Sequence, residues 1–187
     1  MILNFLTTRT STPAKFLRHP GPTADELQRI LDAAECVPDH GRLHPWRFLI
    51  IEGGARIALG ELFVAALRAR DPAVEPALCE RERERALRAP TLLAAIASPL
   101  ADHPKVPEQE QRITAALAAY QAQLAAQALG FGAIWLTGSR VYDPFVTRAL
   151  GLAPHEQLLG FINLGQIANP READEKPRPS AVLQYWP

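Results

Sequence analysis

Residues 113–139 read ITAALAAYQAQLAAQALGFGAIWLTGS, a stretch without one charged side chain. About 20 apolar residues suffice to span a bilayer, so this stretch is where a membrane protein would declare itself. It does not: Gln121, Gln123 and Gln127 interrupt the apolar run, and Gly130, Gly132 and Gly138 break its second half. The pattern predicts a long helix over residues 107–129, a glycine turn, then a short strand over 133–137. A helix without a charged face in a water-soluble protein is normally buried all round. A small chain has limited means to surround it, so a second subunit is expected to cover one side, with Ala119 and Ala126 as candidate contact positions.

Outward from this unit the chain alternates helix and strand. A short helix is expected over residues 2–8. Thr23-Ala24-Asp25-Glu26 has the capping-box spacing, and Leu27, Ile30, Leu31 and Ala34 follow at helical intervals until Pro38. Residues 47–52 (RFLIIE) read as a buried strand, and Gly53-Gly54 opens a helix running to about Arg70. Residues 72–88 carry alternating charges suited to a solvated helix. Two more apolar runs, 91–98 and 158–164, read as strands. Between them Asp143-Pro144 starts a helix that Gly151 closes. The tail, residues 168–187, is rich in proline and charge and reads as an extended arm. No repeat or boundary divides residues 1–187, so one domain is expected.

Composition narrows the classes. The 187 residues carry 20 Lys+Arg against 20 Asp+Glu, which lacks the basic footprint of a nucleic-acid binder. Hydrophobic residues make up 48%, too many for a disordered chain. Two cysteines, Cys36 and Cys79, make no disulfide framework and fit a reducing, cytoplasmic compartment. The opening MILNFLTTRTS has no apolar stretch or small-residue site of a signal peptide.

Few segments carry chemistry on their own. Cys36, His40 and His44 recur at intervals of four, a spacing that suits zinc on one helix face. Pro38, Gly41 and Pro45 prevent that helix, so the spacing loses its geometric meaning. No Gly-x-Ser-x-Gly elbow or Walker sequence is present. Gly130-Phe131-Gly132 precedes a strand and lacks the third glycine of a dinucleotide fingerprint. Arg9-Thr10-Ser11 groups a cation, hydroxyls and backbone amides, a set able to hold a phosphate.

Taken together the motifs resemble the nitroreductase family, in its short YdjA-like branch. They are Arg9-x-Ser11, Pro22-Thr23 leading into Leu27-x-x-Ile30-Leu31, and Pro38-Asp39-His40-Gly41-x-Leu43-x-Pro45-Trp46-x-Phe48. Next come His103 with Lys105-Val106-Pro107 and Glu110-Gln111, then the run from Gly130 to Gly138, and finally Gly160-Phe161-Ile162-x-Leu164-Gly165. The resemblance covers nearly the whole chain in order. It implies an α+β fold with a central, mostly antiparallel sheet flanked by helices, in an entwined homodimer holding FMN at the subunit interface. It further implies a hydride passed from NADH or NADPH through the flavin to a nitroaromatic, quinone or similar electrophile, by ping-pong turnover. No protein side chain need be catalytic, because the flavin carries the chemistry.

By position, the resemblance assigns Arg9, Thr10, Ser11, Cys36, His40, Trp135, Leu136 and Thr137 to FMN. Ala125, Ala126, Gln127, Ala128, Leu129 and Gly130 correspond to the nicotinamide-cofactor segment. Relatives commonly carry Arg where Thr10 stands, and some carry Arg in place of Cys36; Lys176 and Arg178 in the tail are candidate replacements. Competing readings are a flavin-binding storage or sensor protein with little turnover, and a zinc hydrolase built on Cys36, His40 and His44.

Overall fold

In the computed structural model, which describes residues 2–168 and 184–186, a five-stranded sheet separates two layers of helices. The expected arm, with Lys176 and Arg178, falls almost wholly outside the described residues. The elements in chain order are α1 (Ile2–Thr8), β1 (Leu17–Arg18), α2 (Ala24–Ala34), β2 (Trp46–Glu52), α3 (Gly54–Arg70), α4 (Pro76–Leu87) and β3 (Thr91–Ala97). Then follow α5 (Glu108–Ala128), β4 (Gly132–Leu136), α6 (Pro144–Ala149) and β5 (Gln157–Ile167). Every pairing is antiparallel: β2 with β3, and β5 with β1, β3 and β4.

β3 (TLLAAIA) is buried at every position, as a central strand covered on both faces must be. Its alternation sorts the core. Leu93, Ala95 and Ala97 pack with residues of α2 and α5, whereas Leu92, Ala94 and Ile96 pack with residues of α3, α4 and α6. Short side chains on β3 and α5 let the helix lie close to the sheet, which explains the alanine content of both.

Local signals explain the helix ends. The Thr23 hydroxyl accepts from the Glu26 N–H, and the Glu26 carboxylate accepts from the Thr23 N–H at 2.8 Å. These bonds hold the Glu26 carboxyl below its ordinary range. Asp143 caps α6 by accepting from the Phe145 N–H at 2.9 Å, with Pro144 in the first turn. Gly151 closes α6 at φ 74°, donating to Arg148 O.

Within the protomer α5 leaves one side uncovered, as expected, but not at the expected positions. It is not buried all round: Ile113, Leu117 and Tyr120 are 54%, 42% and 38% exposed, and Ala128 continues that side. The expected contact positions Ala119 and Ala126 instead lie at 0% exposure inside the protomer. Alanines face inward because the sheet is close, and the larger apolar residues are left outside. Among the described residues no helix is long and apolar enough to cross a membrane.

Candidate flavin site

The residues assigned to the cofactor fall at different places along α5 and β4. Arg9 follows α1, with its N–H donating to Phe5 O at 2.9 Å. Its guanidinium lies 5.8 Å from the centre of the Tyr120 ring. Arg9 Nη1 is buried without a hydrogen-bond partner among the described residues. Next to it, Gln127 Nε2 donates to Thr10 O at 2.6 Å, and Gln127 Oε1 is buried and equally unpartnered. Thr12 N–H donates to Ala133 O at 3.0 Å, which fixes this segment to the outer edge of β4. Ser11 is exposed beside them.

An unmade hydrogen bond on a buried polar group costs about 1–3 kcal/mol, and more for a charged one. A cationic donor and an amide acceptor, both unsatisfied and joined through one backbone segment, therefore fit a ligand with an anionic end and a hydroxylated chain. The phosphate and ribityl chain of FMN have that chemistry. Gln127 belongs to this cluster, although sequence resemblance placed it in the nicotinamide segment. Within that segment Ala126 is wholly buried in the core cluster, against which Ala125 and Leu129 also pack. Ala128 and Gly130, the latter at φ 92°, present their surface to solvent. A lone amide in the last turn of an otherwise apolar helix end was the available signal for Gln127.

His40 stands at the opposite end of the helix. Its Nδ1 lies 2.9 Å from Glu110 Oε2 in the first turn of α5. Seventeen residues separate Glu110 from Gln127, about 25 Å along a helix rising 1.5 Å per residue. That span exceeds what one small cofactor can bridge within one protomer. Cys36 is exposed, its thiol 3.4 Å from Asp32 O. His44 pairs with Glu35 at 3.0 Å, and Trp46 Nε1 donates to the same carboxylate at 3.2 Å. Cys36, His40 and His44 do not converge: among the described residues no three His, Cys, Asp or Glu side chains gather as a metal site. The zinc arrangement suggested by their spacing is corrected by these separate pairings.

β4 splits the third group. Trp135 packs with the α2–α5 cluster and donates from Nε1 to Leu159 O at 3.1 Å. Leu136 and Thr137 line a small cavity on the other face, with Phe63, Arg140 and Asn163. Period-two alternation sends Trp135 and Leu136 to opposite faces, and Thr137 follows the last residue of β4, where the alternation ends; what the three share is backbone near one edge of the sheet. Gly160 makes the close packing here possible. It has φ 145°, and a Cβ would come within 2.3 Å of Trp135 Nε1 and 2.7 Å of Leu136 O.

The comparisons agree with this architecture. A family model described as the Nitroreductase family matches residues 6–166. "Putative NAD(P)H nitroreductase YdjA" of Escherichia coli (strain K12) is 37% identical over 155 residues, 81% of each chain. A crystal structure of a nitroreductase-like family protein from Bacillus cereus superposes with TM-score 0.79 at 19% identity, covering 97% of this chain and 91% of that one. A nitroreductase with bound FMN from Bacteroides fragilis superposes with TM-score 0.70 at 22% identity, covering 100% and 98%. With its antiparallel sheet between two helical layers and a family match over nearly all described residues, the chain belongs to the nitroreductase family.

Proposed function

We propose that the protein is an FMN-dependent oxidoreductase, taking a hydride from NADH or NADPH and delivering it to a nitroaromatic, quinone or similar electrophile. The observation that carries this reading is the buried, unpartnered Nη1 of Arg9 beside Thr10, Ser11 and Gln127. The Escherichia coli relative is named for NAD(P)H and the Bacteroides fragilis structure for bound FMN, which supports both cofactors. Free thiols at Cys36 and Cys79 fit a reducing, cytoplasmic setting.

The working unit is a homodimer. Ile113, Leu117 and Tyr120 form an exposed apolar stripe on α5, of the kind that marks an interface. Arg9 lies over Tyr120, so the phosphate-binding end borders that stripe. If two copies of α5 pack antiparallel, the Arg9–Gln127 end of one meets the Cys36–His40 end of the other. Two groups about 25 Å apart along one helix then close around one cofactor. Two-fold symmetry makes two such sites.

In this site Arg9 neutralises the phosphate, and the Ser11 hydroxyl and Gln127 amide hold the polar chain. The backbone of Trp135, Leu136 and Thr137, held by the Trp135 bond to Leu159 O, would border the ring. His40, kept in place by Glu110, would contact the ring rather than act as an acid or base. When bound, the flavin supplies hydride acceptance and donation. A flavin held here would serve the reductant and then the acceptor at one site, so the two substrates would take turns. Steady-state rates with NADH and a quinone, varied together, give parallel double-reciprocal lines under this scheme; intersecting lines contradict it.

A further inference from the structure

On the side of the sheet away from α5 lies a second concave surface. A groove of about 330 Å3 is lined by Lys15, Arg18, Arg56 and Arg88, over a floor that includes Leu17 and Pro90. Among the described residues that line it none is acidic, although the chain as a whole has no net charge. The four cations make no ion pair among the described residues.

Two of these guanidinium groups are set by backbone carbonyls. Arg18 Nη1 donates to Lys15 O and Leu17 O at 2.7 and 2.8 Å, and Arg56 Nη1 donates to Ala89 O at 2.8 Å. These acceptors orient the forks without cancelling their charge. Arg56 Nε is buried and unpartnered among the described residues, a cost that an anionic acceptor would remove. The floor is tight: a Cβ at Gly165 would come within 2.7 Å of Pro90 Cδ. Thr12 is tied to the outer edge of β4, whereas β1 and the groove lie where β5 meets the start of β3. Leu17 in the groove floor and Thr12 both approach Gly132 of β4, and Arg88 also lines the small cavity bordered by Leu136 and Thr137. What sets the groove apart from the Arg9 cluster is the face of the sheet: Arg9 lies against Tyr120 of α5, whereas Arg56 and Arg88 come from α3 and the end of α4.

We propose that this groove binds a phosphate-bearing small molecule of nucleotide size at a site distinct from the candidate flavin site. Its volume lies at the lower end of small-molecule pockets, about 300–1,000 Å3. Oriented guanidinium groups match phosphate bidentately, and the apolar floor suits a base or other flat ring. The lining is concave and half open to solvent, a shape that admits a small ligand from one side.

The test is calorimetric titration of the purified, flavin-loaded protein with pyrophosphate and with ADP at low salt, in wild type, R56Q and R88Q. Exposed Arg88 guards against a folding defect in the R56Q protein. The expected result is saturable binding of one ligand per subunit, weakened about tenfold or more in each variant, with flavin absorbance unchanged in R56Q. Absence of binding to wild type overturns the proposal. So does binding that survives both substitutions but is lost in R9A or displaces flavin, which assigns the ligand to the Arg9 site. Mixed-sequence RNA binding more tightly than ADP, with the same arginine dependence, overturns it too and assigns the surface to a polyanion.

Discussion

Replacing Glu156 with glutamine should remove an acid-sensitive part of the protein's stability. Arg47, on β2, donates to both oxygens of Glu156, each at 2.7 Å, and the Ala153 N–H donates to the same carboxylate at 2.9 Å. The Arg47 hydrogen bonds are the main reason that the Glu156 carboxyl is lowered from 4.5 to about 2. Because the folded value is the lower one, the stabilisation is complete above the unfolded value. It is lost as pH falls from about 4.5 toward 2. Each factor of ten in that proton equilibrium corresponds to about 1.4 kcal/mol. Glu156 is 6% exposed but Arg47 is 35% exposed, so solvent screening reduces the total to about 2–3 kcal/mol. Urea unfolding of wild type and E156Q, at one protein concentration and several pH values between 7 and 2.5, checks this. The variant should be less stable by that amount near neutrality, and the gap should narrow progressively as pH falls from about 4.5 toward 2. A gap that stays constant down to pH 2.5, or no gap at pH 7, would refute the reasoning.

Three other outcomes follow from the site. R9A should weaken FMN binding roughly 10- to 100-fold, the value of a charge-assisted contact, with little effect on riboflavin, which lacks the phosphate; flavin fluorescence titration of the apoprotein reads both. L117E or Y120E, each placing a carboxylate on the exposed stripe of α5, should give a monomer that also loses flavin, seen by sedimentation at protein and flavin wavelengths. H40A should shift the flavin spectrum or potential without changing metal content, whereas stoichiometric zinc in wild type that is lost in H40A would reverse that assignment.

How legible this was depended on the kind of signal. The helix–glycine–strand unit of α5 and β4 follows from periodicity and breakers, and Thr23, Asp143 and Gly151 mark their helix ends by local chemistry. β1 spans only Leu17–Arg18, too short for any pattern. β5 runs beyond the expected 158–164 to Gln157–Ile167, because pairing with β1 and β4 extends it past its apolar run. On α5, absence of charge was legible but orientation was not. The sheet's proximity turned the alanines inward and left Leu117 and Tyr120 outside. At the candidate site, Arg9-Thr10-Ser11 is readable as a set able to hold a phosphate, yet its link to Gln127 spans 117 positions. Lys15, Arg18, Arg56 and Arg88 are likewise dispersed in sequence, and only the fold brings them together.

The most direct test of the central claim is anaerobic mixing of the purified protein with NADH and, separately, NADPH, following the visible absorption of oxidised flavin. The account predicts that the protein carries FMN and that at least one nicotinamide bleaches it, with colour restored on adding a quinone. Protein that takes up no flavin, or whose bound flavin neither nicotinamide reduces, would contradict it.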